Sequence, residues 1–254
     1  MNAPTFWDHA EALRRVMLRG LALVAILLIV YTATMPLLFD TVIMAPCRPD
    51  FLTYKLLGLN VGEVKLINIR LSSQFYIHMS SALYMAFATS LPAILFMLWG
   101  FVAPGLYEHE KRGVAPAFAG ACVMFFLGMA VGYLLVFPLT LRFLADYQLS
   151  AIIPNQISLD SYVDAFLLTV LTMGVVFELP VVAWLLGQLG VIDRRVFFRL
   201  RRHAIVALLV LSAVITPSGD PFTMFTVFIP IYLLWELSAF VVPAANVKRI
   251  TVNQ

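Results

Sequence analysis

Four long apolar runs, each nearly free of charge, constrain this chain more than any other feature. They extend from about Val16 to Phe39, Phe75 to Trp99, Ala115 to Phe137 and Val163 to Leu189. About 20 apolar residues in a helix span the hydrocarbon core of a bilayer. In lipid the backbone polar groups must be satisfied within the segment, so each run is predicted to be a transmembrane helix. A soluble fold has no way to hide this much apolar surface. Hydrophobic residues make up 62% of the chain and charged residues 12%, where soluble domains carry about 25% charge.

The apolar stretch from Ala204 to Val242 is interrupted by Thr216-Pro217-Ser218-Gly219-Asp220-Pro221. Two prolines, a glycine and an aspartate within six residues make a turn. The stretch therefore divides into a fifth helix of about 14 residues and a sixth of about 21, both short beside the first four. At a rise of ~1.5 Å per residue, the fifth covers only ~21 Å of a ~30 Å core. A helix this short thins the local bilayer or requires protein neighbours. The predicted fold class is an all-α integral membrane protein of six transmembrane helices, one polytopic membrane domain over residues 1–254.

Lys and Arg in the connecting segments set the orientation. Twelve of the 17 fall in the N-terminal segment, the 99–114 and 190–203 loops and the C-terminal tail, which places these in the cytoplasm. The other five, Arg48, Lys55, Lys65, Arg70 and Arg142, belong to segments facing outward. Both termini are thus expected inside. The outer loop 40–74 is the one sizeable connecting piece and suits a short amphipathic element over the membrane surface. Arg14-Arg15 before an apolar run superficially resembles a secretory signal. The run is too long, no small-residue cleavage site follows it and five further spans come after, so the pair reads as an anchor for the first helix.

Charge inside a span is costly and points to function. Glu178 lies deep in the fourth span, within Phe177-Glu178-Leu179-Pro180, and is expected to face protein or water. Pro180 frees the carbonyl of Val176. Glu236 lies in the sixth span near its cytoplasmic end. Asp220 sits in the outer turn, where a capping role is the simplest reading. His78 and Arg142 stand near outer ends of spans and are expected to snorkel toward water. In the first cytoplasmic loop, Glu108 and Glu110 form a carboxylate pair suited to a cationic ligand, since guanidinium pairs bidentately with carboxylate. The basic run from Asp193 to His203 reads as a topology anchor.

A net charge of +3 is too small to suggest nucleic acid. Cys47 and Cys122 have no metal-type spacing and are read as two unpaired apolar cysteines. No catalytic triad, HExxH motif or glycine-rich phosphate loop is present, so an enzyme is not supported and no cofactor or metal is expected.

Several segments together resemble one family. Phe101-Val102-Ala103-Pro104-Gly105-Leu106-Tyr107-Glu108-His109-Glu110-Lys111-Arg112 is similar to the first cytoplasmic loop of TatC, the multispanning subunit of the twin-arginine protein translocase. Gly128-Met129-Ala130 with Tyr133, Phe137 and Pro138 resembles its third helix, and Phe177-Glu178-Leu179-Pro180-Val181 its fourth. Thr216-Pro217 through Asp220-Pro221 with Glu236 resembles its last hairpin, and Asp8-His9 with Leu13-Arg14 its N-terminal segment. The resemblance implies a receptor for the Arg-Arg signal peptides of folded cargo, in an oligomeric complex with TatA-like and TatB-like single-span partners. It also implies export driven by the proton gradient across the cytoplasmic (inner) membrane of a prokaryote.

By the same resemblance Glu110 contacts the signal arginines, with Phe101 beside it. Glu178 contacts a partner helix, with Tyr133 nearby, and Pro46 and Asp220 belong to an outer cap. One position departs from the pattern. Where the family carries a signal-binding glutamate in its N-terminal segment, this chain has Ala12. Glu11 is adjacent but points about 100° away on a helix. Either Glu11 or Glu108 compensates in part, or the site leans on Glu110. Two competing readings differ in what they require. A proton-coupled secondary transporter would use Glu178 and Glu236 as a pair. A passive membrane scaffold would tolerate neutralisation of Glu110 or Glu178.

Overall fold

A helix in lipid can satisfy its own backbone everywhere except at its prolines, and the prolines of this chain shape its fold. In the computed structural model the described residues are 6–59, 61–102, 108–150, 152, 155–188, 190–216 and 219–242, with the backbone alone at 6–9, 102 and 108–115. Helix α1 spans Phe6–Leu38 and runs on through a π-helical turn, Phe39–Ile43, and a 3₁₀ turn, Ala45–Cys47. A short α2, Leu52–Leu56, follows, then α3 over Ser73–Val102. Helix α4, Glu108–Val131, continues through a second π-helical turn, Gly132–Val136, into α5, Phe137–Asp146. Helices α6, Leu159–Val176, and α7, Leu179–Gln188, share one axis interrupted at Phe177–Glu178. Helix α8 is Arg194–Ile215 and α9 is Pro221–Val241.

Five helical stretches among the described residues are long and apolar enough to cross a membrane: α1 with its continuation, α3, α4 through α5, α6 through α7, and α9. The sixth predicted span lies in α8, whose apolar part is Ala204–Ile215, about 18 Å of helix. The connection expected at 190–203 is mostly helix, because its arginines, Phe and Leu contain no helix breaker after Asp193 at the N-cap. The third span does not stop at Phe137. The π-helical turn admits Pro138 near the start of α5, and the helix carries on outward to Asp146.

A proline strands the carbonyl four residues before it, and at Pro36, Pro46 and Pro138 a side chain from a neighbouring element takes that carbonyl up. Pro36 strands Thr32, whose carbonyl lies 2.8 Å from Nε2 of His78 on α3. Pro46 strands Val42, whose carbonyl accepts from the Tyr133 hydroxyl at 3.0 Å. Pro138 strands Leu134, whose carbonyl accepts from the Thr53 hydroxyl. His78 therefore does not snorkel, as its place in the sequence suggests. It ties α3 to α1. Arg142 likewise stays at home, donating to the Gly62 carbonyl at 2.9 Å and pairing with Asp146 at 3.0 Å.

On the outer side, the 40–74 segment and the 147–158 segment meet in a two-stranded parallel ladder, β1 (Leu66–Ile67) on β2 (Ile157–Ser158). Ser73 donates to Asp160 at 2.7 Å and closes this cap onto α6. The cap is a packed element: Ile43 and Cys47 are buried against Ile77, Phe137 and Tyr162, and Tyr54 is buried with its hydroxyl on the Pro46 carbonyl.

Helices α4 and α6 cross at glycines. A Cβ on Gly128 would lie 2.5 Å from the Met173 carbonyl oxygen and 2.6 Å from Phe177 Cβ; one on Gly174 would lie 2.8 Å from the Phe125 ring. Gly128 and Gly132 form a GxxxG pair, the spacing that lets helix backbones approach in lipid, where apolar contact alone gains little.

Three outcomes are expected from thermal unfolding in detergent. Gly128→Val should destabilise by roughly 1–3 kcal/mol through overpacking, whereas Gly120→Ala, whose Cβ would meet only Val181 at 4.0 Å, should leave the midpoint unchanged. His78→Leu should cost about 1–3 kcal/mol by leaving the Thr32 carbonyl without a donor; a midpoint equal to the wild type would show that this bond holds nothing together.

Candidate functional site

The cytoplasmic ends of α1 and α3 enclose a cavity of about 380 Å³. Residues one helical face apart on α1, Ala12, Arg15 and Arg19, form one wall, and Phe96, Gly100 and Phe101 on α3 form the other. Phe101 and the alanine that stands in place of a glutamate thus share one cavity. Glu11 is on the neighbouring face, exposed, with its Oε1 3.0 Å from Arg15 Nη2 one turn on. This exposed pair adds little stability, but it directs the Glu11 carboxylate toward Arg15. Among the described side chains the cavity's own charges are Arg15 and Arg19, so attraction of a cation must come from elsewhere. Glu108 and Glu110 lie in the first turn of α4, where the helix dipole favours carboxylates. Their side chains, and residues 103–107, lie outside the described residues.

Inside the membrane, Glu178 sits where the α6–α7 axis breaks. Phe177 N–H bonds to Met173 O at 3.0 Å and Glu178 N–H to Val175 O at 3.1 Å, a tightened turn imposed by Pro180. Glu178 lines a cavity of about 340 Å³ whose other walls are apolar, including Leu91 and Leu95 of α3 and Phe118 and Phe125 of α4. Its Oε1 is sealed from solvent and has no hydrogen-bond partner among the described residues. A buried carboxylate oxygen left in that state is costly. The residue as a whole is half-buried on the cavity wall, so a donor from outside this chain can approach the carboxyl group from the cavity side and not at Oε1.

Tyr133 lines a different cavity, about 230 Å³, with Tyr84, Met85 and Phe166. Its hydroxyl is spent on Val42, and its ring meets Phe51 and Phe166 edge-on at 5.5 and 5.9 Å. Glu236 is also engaged. Its Oε1 accepts from Arg201 Nε at 2.6 Å, and Tyr232 OH lies 3.2 Å from the same nitrogen. The hydrogen bond to Glu236 raises the Arg201 pKa above its ordinary value. With Glu236 in an ion pair to α8, a Glu178–Glu236 proton couple gains no support.

In the outer cap, Pro46 is buried and its carbonyl lies 2.9 Å from the Tyr54 hydroxyl. Asp220 caps α9: its Oδ1 accepts from Thr223 N–H at 2.8 Å and its Oδ2 from the Thr223 hydroxyl at 2.6 Å. No cluster of metal-ligating side chains occurs among the described residues, and Cys47 and Cys122 are free thiols. Sequence reasoning missed Arg15 and Arg19 as cavity residues. Their spacing from Ala12 along one helical face was the available signal.

The chain is similar to proteins of one family over most of its length. The family model described as "Sec-independent protein translocase protein (TatC)" matches residues 8–230. The TatC protein of Deinococcus radiodurans is 33% identical over 237 residues, covering 93% of this chain and 84% of its own length. That of Aquifex aeolicus is 34% identical over 188 residues, covering 74% and 78%. A crystal structure of the twin-arginine translocase receptor TatC superposes with a TM-score of 0.77 at 28% identity, covering 92% of this chain and 99% of that one.

Replacing Glu178 by Leu should raise the thermal midpoint of the isolated chain in detergent, because an unsatisfied buried polar group is removed at a gain of about 1–3 kcal/mol. A lowered midpoint would mean that the carboxylate is already satisfied within the chain.

Proposed function

Because the chain belongs to the TatC family of Sec-independent protein translocase proteins, we propose that it reads Arg-Arg signal peptides of folded cargo at its cytoplasmic face. We propose further that it organises TatA-like and TatB-like single-span partners for export driven by the proton gradient. Such a chain works as a translocase component in the cytoplasmic membrane of a prokaryote, assembled into an oligomeric complex. The family is one of receptors and translocase components and not of enzymes.

The observation that carries this reading is the cavity joining Ala12 to Phe101 at the cytoplasmic end of α1 and α3. The two positions that resemble the family's signal site face one another across it. Glu11 is turned toward Arg15, so the carboxylates left to receive the signal guanidinium groups are Glu108 and Glu110. Charge-assisted pairs are strong where water is partly excluded, and bidentate geometry distinguishes arginine from lysine. The signal's apolar segment then lies along the helices. Glu178, half-buried on the wall of its apolar cavity, offers its carboxyl group to a polar side chain on a partner's membrane helix. In lipid such a bond contributes more to association than apolar contact does. Tyr133 and Glu236 hold the surrounding helices in register through their bonds to Val42 and Arg201.

Photocrosslinkers placed at positions 108 and 110 should capture an Arg-Arg signal peptide and lose most of that yield when the pair is changed to Lys-Lys. In the same membranes, Glu110→Ala should abolish export of twin-arginine cargo with insertion of the chain unaffected. Export at the wild-type rate would sink the assignment of Glu110, and equal crosslinking of both peptides would sink the receptor reading.

A further inference from the structure

The first turns of α8 carry five arginines, and the fold uses two of them internally. The Arg194 guanidinium lies over the rings of Phe198 and Phe240, at 5.6 and 5.2 Å from their centroids. Arg201 is held by Glu236 and Tyr232. These contacts fix the rotation of the helix about its axis. The remaining three, Arg195, Arg199 and Arg202, are exposed and make no hydrogen bond or ion pair among the described residues. Their spacing of four and three residues places them on one face. The same face continues, four residues at a time, through Val206 and Val210, which are 62% and 60% exposed. A single stripe therefore starts basic and ends apolar.

The change from Arg to Val occurs where the apolar part of α8 begins, at Ala204. That is the depth at which headgroups give way to acyl chains. We propose that Arg195, Arg199 and Arg202 form a binding stripe for the phosphate headgroups of anionic phospholipids in the cytoplasmic leaflet, with Val206 and Val210 lying against the acyl chain. Inorganic phosphate offers the same charge without a tail, and so matches only half of the stripe. An acidic soluble protein segment likewise has nothing to place on the valines. The apolar part of α8 is too short to cross an unperturbed core, and on its lipid-facing side thinning of the leaflet makes up the difference. That brings phosphates to the arginines. The inference does not depend on which signal or partner the chain binds.

The test uses the full-length chain. It is reconstituted in equimolar phosphatidylglycerol and phosphatidylcholine, extracted in mild detergent, and its retained lipid read by native mass spectrometry. The wild type should retain phosphatidylglycerol in clear excess. The triple variant Arg195→Gln, Arg199→Gln, Arg202→Gln should lose most of that excess, by up to roughly fivefold per arginine. The matching triple Lys variant should keep most of the preference. Val206→Ser with Val210→Ser should weaken retention, and millimolar inorganic phosphate should not displace the lipid. An unchanged thermal midpoint in phosphatidylcholine shows that the Gln variant is folded; if it is not, the Lys variant and the serine pair carry the test. A wild-type lipid ratio in the folded Gln variant overturns the proposal, as does displacement by phosphate. Loss of a co-purifying acidic protein from that variant, with the lipid ratio unchanged, makes the stripe a protein-docking face and also overturns it.

Discussion

The constraint on which this structure depends is that a carbonyl stranded in lipid must find a donor. Pro36, Pro46 and Pro138 each create such a carbonyl, and His78, Tyr133 and Thr53 answer them from other elements. Each bend is thereby turned into a cross-link. Together the three bonds tie α1 to α3, the end of α1 to the π-helical turn after α4, and α2 to that same turn. The Tyr162 hydroxyl adds a fourth, donating to the carbonyl of Ile43. The outer half of the molecule is consequently stitched by side chain to backbone bonds.

Further toward the cytoplasm the holding force changes in kind. There α4 and α6 approach through Gly128, Gly132 and Gly174, and dispersion between closely packed backbones replaces polar stitching. The two regimes meet around Met173 and Phe177. Just beyond that contact the α6–α7 axis breaks, so the glycine crossing determines where Glu178 is held. An unsatisfied carboxylate oxygen survives there because the glycine crossing and the apolar walls of its cavity leave it no route to relax.

Much of this was legible in the amino-acid order because it follows from local rules. The apolar runs mark the spans, the arginines their direction, and Asp220 before Pro221 its cap on α9. The pairings of His78 with Thr32 and Thr53 with Leu134 join residues 46 and 81 positions apart. No periodicity reveals them, although each stranded carbonyl is predictable from its proline. The GxxxG at Gly128 and Gly132 was readable as a close approach, but its partner helix was not. Glu236 looked like a lone intramembrane charge because Arg201, 35 residues away, reads as a loop residue until α8 is seen to start at Arg194. At the cytoplasmic site, Ala12 and Phe101 become neighbours only through the packing of α1 on α3.

The π-helical turn at Gly132–Val136 has a consequence for how this chain tolerates change in length. Such a turn holds one more residue than the α-helical turn it replaces, so every side chain beyond it is rotated by about 100° relative to an uninterrupted helix. Phe137, Thr140 and Leu141 are buried in that rotated frame. Losing a single residue between 132 and 136 would restore a regular helix and carry all three to the wrong side. The third span can therefore accept substitutions at its lipid-facing positions such as Val123 and Leu127, but it can neither gain nor lose a residue. Its length behaves as a sequence character in its own right, fixed by the bulge and independent of which apolar residues fill it.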